Sequence, residues 1–200
     1  MKHIYLVRHG QTEANKLRFH QSSDEGLSPK GRKQAHHVGL LLRDMHIDTL
    51  ICSTYTRARE TAGIIGEILG LPYTTNGSLV EFKRPNYIYG QGYYSLPTLW
   101  YIWRLFIHSE NKSWDDDGAE NMYAIRNRAL DAKKMLGETE GEHIAVVTHD
   151  IFMNIFLELV CRQKKMGFFQ FAHGLLLTKK TPNTGIIHLT YNAHAPKGVC

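Results

Sequence analysis

Two histidines in this chain stand where a nucleophile or an oxyanion ligand would be expected. Arg8-His9-Gly10 follows directly on the short apolar run 3–7, and His149-Asp150 follows directly on the run 143–148. Imidazole has an ordinary pKa that leaves much of it neutral and nucleophilic near pH 7, and a guanidinium offers a planar fork of donors suited to phosphate oxygens. A second arginine, Arg57, comes soon after a third apolar run in LICSTYTRARETA. If the three runs are strands of one sheet, two histidines and two arginines line one edge of it and form a cationic, phosphate-sized pocket. Each residue taken singly also has a plainer use. His149 could be structural with Asp150 capping a helix, Ser53 or Thr54 could cap the helix near Arg57, and Arg57 itself could be solvated.

Strands must therefore end where these residues begin. The pattern predicts a strand near 3–7, a helix near 29–45, a strand near 48–52, a helix near 55–69 and a strand near 72–75. After an interruption it resumes with a helix near 118–138, a strand at 143–148, a helix near 151–161 and strands near 174–178 and 185–191. Short, dense apolar runs alternating with helical periodicity indicate βαβ units and a mostly parallel sheet, whose ligands bind beyond the strand C-termini. Gly10 would let something approach the backbone closely at that edge.

The interruption at about 83–117 is rich in aromatic residues, Gly and Asn, and reads as an insertion within one domain spanning 1–200. In SLPTLWYIWRLFIH the residues Leu96, Leu99, Trp100, Trp103 and Ile107 fall at helical spacing, which predicts an amphipathic lid helix. The stretch is about half the ~20 residues a membrane span needs and carries Pro97 and Arg104, so no membrane partner is expected.

Composition bounds the function. The formal charge of +5 suits an anionic partner. Basic runs such as KGRK and RQKK lack a recognition motif and read as solvated surface, so a nucleic-acid partner is not expected. Three cysteines, far apart and without a CxxC, suggest neither a disulfide framework nor a zinc ribbon. With no apolar leader at the N-terminus, a cytoplasmic location is expected.

The motifs in their order resemble the histidine phosphatase superfamily, also called phosphoglycerate mutase-like, nearly end to end. LVRHGQTEAN is similar to its signature, GLSPKGRKQA to its first helix entry, CSTYTRARETA to its second arginine motif and LVEF to its acid motif. GAENMYAIRNR, VVTHD and PNTGIIHLTY complete the series. The resemblance implies a three-layer α/β/α sandwich with a mostly parallel central sheet and a lid insertion at 83–117. It also implies a phosphatase that hydrolyses phosphate monoesters without metal or cofactor. His9 would form a phosphohistidine, and Arg8, Arg57 and His149 would hold the phosphoryl oxygens. Glu81 would protonate the leaving oxygen and later deprotonate water, a task that favours a raised pKa. Asn15 and Gln11 would lie near the phosphate. Without the resemblance, Glu81 reads as a loop carboxylate.

Glu120 carries two readings, a capping-box start with Asp117 or an acid that orients the pocket. Two residues depart from the family pattern. Asp150 stands where Gly is common and would raise the His149 pKa if it pointed inward. Gln21 stands where relatives often have Gly, so binding in that loop is expected to differ.

The partner expected is a phosphorylated small molecule, with a homodimer left open. The lid rings Tyr87, Tyr89, Tyr93, Tyr94, Trp100, Tyr101, Trp103 and Phe106 could wall in a bulky leaving group, steered by Lys83 and Arg84, or could pack the lid onto the sheet. Two alternatives stay open beside the phosphatase: mutase-type phosphoryl transfer, and a catalytically weak module that binds a phosphorylated ligand.

Overall fold

The computed structural model describes residues 1–109, 111–160 and 181–191. The chain runs through β1 (Lys2–Arg8), α1 (Glu13–Leu17), α2 (Pro29–Arg43), β2 (Thr49–Ser53), α3 (Thr56–Leu69) and β3 (Tyr73–Asn76). Two 3-10 turns, Gly77–Leu79 and Asn86–Ile88, and α4 (Leu96–Ile107) lead to α5 (Met122–Glu138), β4 (His143–Thr148), α6 (Asp150–Val160) and β5 (Ile186–Tyr191). The strand expected at 174–178 lies outside the described residues.

The five strands form one sheet in the order β3-β2-β4-β1-β5. All neighbours are parallel except β5, which runs against β1. This is the expected α/β fold, and the period-2 alternation of the strands explains its layers. Ile4, Leu6, Ile144 and Val146 face α5 and α6 and meet Ile125, Ala129 and Phe152. Tyr5, Val7, Ala145 and Val147 face the other way and meet Val38, Leu42, Ala62 and Ile65 of α2 and α3. Central strands buried on both faces are why these runs read as continuously apolar.

Two helix starts differ from expectation. The side chain of Asn121 accepts from the N–H groups of Tyr123 and Ala124, so α5 begins at Met122, not near 118. Asp117 has φ +51° and Gly118 +81°, a left-handed turn that cannot open a helix, so Asp117 and Glu120 form no capping box. At α3 the cap position belongs to Tyr55, without a side-chain bond, because Ser53 is still part of β2.

The insertion is tied down at its base and along one side. Glu120 N–H donates to Lys83 O at 2.9 Å, and Lys83 N–H donates to a Glu120 carboxylate oxygen at 3.0 Å. Its middle is bonded to the loop after α1, through His20 N–H to Gln91 O at 2.9 Å and Tyr93 N–H to Arg18 O at 3.0 Å. α4 turns Thr98, Tyr101 and Leu105 inward. The stripe singled out in the sequence faces out: Leu96 is 82% exposed, and Trp100 and Trp103, about half exposed, stack on each other at 4.8 Å. The large rings dominate the sequence pattern, yet Tyr101 and Leu105, one turn apart, supply the buried face. Among the described residues no helix is long and apolar enough to cross a membrane.

Candidate active site

Register brings the site together. Arg8 pairs with Thr148 across β1 and β4, and Cys52 pairs with Val147 across β2 and β4, so His9, His149 and Ser53 leave the sheet at one rim. The connections after β1 and β4 depart to opposite faces, toward α2 and α6, which opens a crevice between these neighbours. His9 N–H donates to Thr148 O at 2.9 Å, and Gly10 N–H donates to Thr61 Oγ1 at 3.0 Å. The close approach at Gly10 is made by the first turn of α2. A Cβ on Gly10 would lie 2.5 Å from Gly31 O, and one on Gly31 would lie 2.0 Å from Gln11 O.

His9 is buried, and its Nδ1 lies 2.7 Å from Gly10 O. A carbonyl only accepts, so Nδ1 carries the proton of the neutral ring and Nε2 holds the lone pair. Burial, then the charges of Arg57 and Arg8, hold the His9 pKa well below 6.5, so the ring stays neutral. His149 is fully buried with its ring 5.1 Å from that of His9. Burial, then Arg57, also keeps it neutral. Its Nε2 lies 2.8 Å from Ser53 Oγ, which accepts from Tyr55 N–H at 3.3 Å. Ser53 Oγ and His149 Nε2 share one hydrogen bond whose direction is tied to the tautomer of the ring, and His149 Nδ1 makes none among the described residues. Ser53, read from the sequence with Thr54 as a candidate helix cap, instead shares this hydrogen bond with His149.

Arg57 is buried in the first turn of α3, with one Nη donating to Ser22 O at 2.7 Å. Arg8 donates to Thr181 O and lies 3.7 Å from Asp150. The same Asp150 carboxylate accepts from Thr181 N–H at 3.0 Å. Asp150 is therefore directed at Arg8 and the turn before β5, and the His149 pKa goes down, not up. Arg8 Nε, Arg57 Nε and His149 Nδ1 are buried and have no hydrogen-bond partner among the described residues.

Glu81 sits over the first turn of α6. One carboxylate oxygen accepts from Phe82 N–H at 2.9 Å and Phe152 N–H at 3.0 Å, while Oε2 takes only a 3.4 Å contact from Ile151 N–H. Oε2 is thus the oxygen with an unused lone pair. The segment carrying Glu81 is held by Arg128, which sequence reasoning did not single out. Arg128 pairs with both Glu120 oxygens at 2.7 and 2.6 Å and donates to the carbonyls of Ser78 at 3.0 Å, Val80 at 2.6 Å and Glu81 at 3.2 Å. Glu120 does not line the cavity and acts on the site through this arginine. The available signal was positional, since Arg128 lies three residues after Ile125 on the buried stripe of α5.

Arg8, His9, Asn15, Arg57, Glu81 and Asp150 line a cavity of about 190 Å³ beneath the lid. Asn15 Oδ1 accepts from Asn183 at 3.2 Å, and Asn183 also donates to His9 O at 3.1 Å, a second contact missed from sequence. Two expected site residues are not in the cavity lining. His149 stands behind the His9 and Tyr55 rings. Gln11 is spent on α2, its carbonyl accepting from Ser28 N–H at 2.9 Å and its N–H donating to Gln34 at 2.9 Å. Of the lid rings Tyr93, Tyr94 and Tyr101 line the cavity, whereas Trp100 and Trp103 do not. Among the described residues no group of three or more His, Cys, Asp or Glu side chains could hold a metal ion.

The sheet order and the gathering of two histidines and two arginines at its rim beneath a lid define a protein of the phosphoglycerate mutase-like fold. The chain belongs to the histidine phosphatase superfamily (branch 1), whose family model matches residues 4–199. A solved mycobacterial glucosyl-3-phosphoglycerate phosphatase superposes with a TM-score of 0.74 at 21% identity, covering 96% of this chain and 92% of that one. A phosphoserine phosphatase mutant from Entamoeba histolytica, in complex with phosphoserine, gives a TM-score of 0.75 at 19% identity, covering 100% and 94%. At this identity the likeness carries the fold. In sequence, the "Probable phosphoglycerate mutase GpmB" of Erwinia tasmaniensis is 40% identical over 84 residues, 42% of this chain and 39% of that protein. The match thus spans about two fifths of such curated relatives.

Proposed function

We propose that the protein hydrolyses phosphate monoesters through a phosphohistidine on His9. The observation that carries this reading is a neutral imidazole lining the cavity with Nε2 unprotonated, beside two buried donors, Arg8 Nε and Arg57 Nε, that have no protein acceptor among the described residues. A phosphoryl group satisfies both. Its charge in a loose transition state is met by donors already fixed in place, each worth ~10²–10³ in rate.

Nε2 attacks phosphorus in line, forming the P–N bond as the ester P–O bond breaks. The leaving oxygen takes its proton from Glu81 Oε2. Glu81 then removes a proton from water, the water oxygen bonds to phosphorus, and the P–N bond breaks to release inorganic phosphate and return the lone pair to Nε2. The two solved relatives named as phosphatases support hydrolysis as the outcome. The partial likeness to a mutase keeps transfer to a second hydroxyl as the competing reading.

The test is turnover of p-nitrophenyl phosphate with an alkaline quench, which preserves a phosphoramidate, followed by mass spectrometry. Phosphate is expected on His9, and His9→Ala should abolish both label and turnover while remaining folded. Label on Ser, Asp or another histidine overturns the assignment. Isomerisation of a phosphoglycerate faster than its hydrolysis would favour the mutase.

A further inference from the structure

The lid end of the cavity carries polar atoms that the phosphoryl chemistry does not use. Tyr101, on the inner face of α4, is only 2% exposed, yet its hydroxyl has no hydrogen-bond partner among the described residues. Gln21, in the loop after α1, has its buried Oε1 in the same condition. Both residues line the cavity, with Arg84 beside them and the rings of Tyr93 and Tyr94 completing the wall. Buried polar atoms without a partner are uncommon, and each costs enough to require an explanation.

The kind of group that satisfies both can be worked out by elimination. A carboxylate accepts from Tyr101 and Arg84 but gives Gln21 Oε1 no donor. An ammonium donates to Gln21 but faces the charges of Arg57 and Arg84. A hydroxyl donates to Gln21 Oε1, accepts from Tyr101 and carries no charge, so it meets both atoms as they are oriented. The flanking tyrosine rings offer faces for the C–H surface of a hydroxylated carbon chain. We propose that Tyr101 and Gln21 form a leaving-group subsite selecting phosphate monoesters of small, neutral polyhydroxylated alcohols, that is, polyol or sugar phosphates. The inference rests on the cavity being the phosphatase site proposed above.

The test compares kcat/KM for glycerol 1-phosphate and propyl phosphate, which differ in the two hydroxyls alone. 3-Phosphoglycerate supplies a carboxylate-bearing comparison, phosphoethanolamine an ammonium-bearing one, and p-nitrophenyl phosphate a purely apolar one. The wild-type protein should favour glycerol 1-phosphate over propyl phosphate by ~10- to 100-fold, as expected when buried polar groups are left unpaired by the poorer ester. Tyr101→Phe and Gln21→Leu, which remove the polar atoms and keep the shape, should each cut that preference by about tenfold. Equal turnover of the two alkyl esters by the wild type, a preference for the carboxylate or ammonium ester, or variants that lose both alkyl esters alike would each overturn the subsite. If p-nitrophenyl phosphate is turned over through phosphohistidine but no hydroxyl preference exists, the subsite alone fails. If no ester is turned over, the site reading fails with it.

Discussion

Replacing Arg128 by Met keeps an apolar stem and removes the guanidinium, which lies 5.0 Å over the Phe152 ring and ties five acceptors together. Four of those acceptors are the Glu120 oxygens and the carbonyls of Ser78 and Val80; the fifth is Glu81 O. The Arg128 and Glu120 side chains are 13% and 9% exposed, so the change strands a largely buried carboxylate. Breaking such a pair costs ~3–5 kcal/mol, and the surviving Lys83 N–H bond to Glu120 argues for the lower end. Glu120→Gln in the same chain removes the stranded charge, so the double variant should recover part of the loss. The released 78–81 segment carries the proposed acid, and a displacement of about 1 Å there costs ~10²-fold in rate. That loss should fall on kcat, because Arg8, His9 and Arg57 are untouched. It should also grow with the pKa of the leaving alcohol, since p-nitrophenolate departs without a proton and an alkoxide does not. Denaturant melts and steady-state kinetics across a series of esters provide the assay. Equal losses for good and poor leaving groups, or unchanged kcat in a destabilised protein, would refute the idea that Arg128 acts through Glu81.

His9 and His149 stay neutral in the fold while the unfolded chain protonates near 6.5, so stability is complete above that pH and falls as pH drops below it, toward the depressed native values. The slope should approach ~1.4 kcal/mol per pH unit for each histidine, read by denaturant melts between pH 7.5 and 5, and a flat profile would contradict the assigned neutrality. Ser53→Ala should lower kcat/KM about tenfold while Ser53→Thr retains most of it, because the hydroxyl fixes the His149 tautomer. Nitrogen NMR of the imidazole would reveal the tautomer directly, and a tautomer left unchanged by Ser53→Ala would count against this role. Gly31→Ala should destabilise by ~1–3 kcal/mol and reduce turnover, because its Cβ would come within 2.0 Å of Gln11 O and displace the loop behind His9; an unchanged melting temperature would speak against this packing.

The sheet and its rim were legible in the sequence because β1, β2 and β4 are buried on both faces, and each is followed at once by residues too polar for the core. Arg128 was harder to find. It sits in a helix with Arg126 and Lys133, where charge ordinarily means solvent, and its partners come from 47 to 50 positions away in the backbone of 78–81 and from Glu120. Ser53 was misplaced by a sound local rule, since Ser before a helix is most often a cap, and only the pairing of β2 with β4 sets it against His149. The lid was misjudged through side-chain size: Trp100 and Trp103 outweigh Tyr101 in any apolar pattern, although α4 is oriented by Tyr101 and Leu105. Gln11 lies in the signature beside His9, yet the tight Gly10–Gly31 crossing directs its backbone toward α2.

The paired hydrogen bonds between Lys83 and Glu120 have a consequence for how such a protein changes over time. They close the insertion at its neck, so changes in the outer, exposed part of 83–120 need not strain the segment bearing Glu81. For a loop closed in this way, doubling its length costs only ~0.6 kcal/mol in chain entropy. The insertion can therefore change length at its exposed parts while acid, histidines and arginines keep their places, provided the core contacts of Ile88, Tyr101, Leu105 and Trp114 are matched. Substrate scope can drift, or be engineered by grafting at this neck, independently of bond-breaking chemistry.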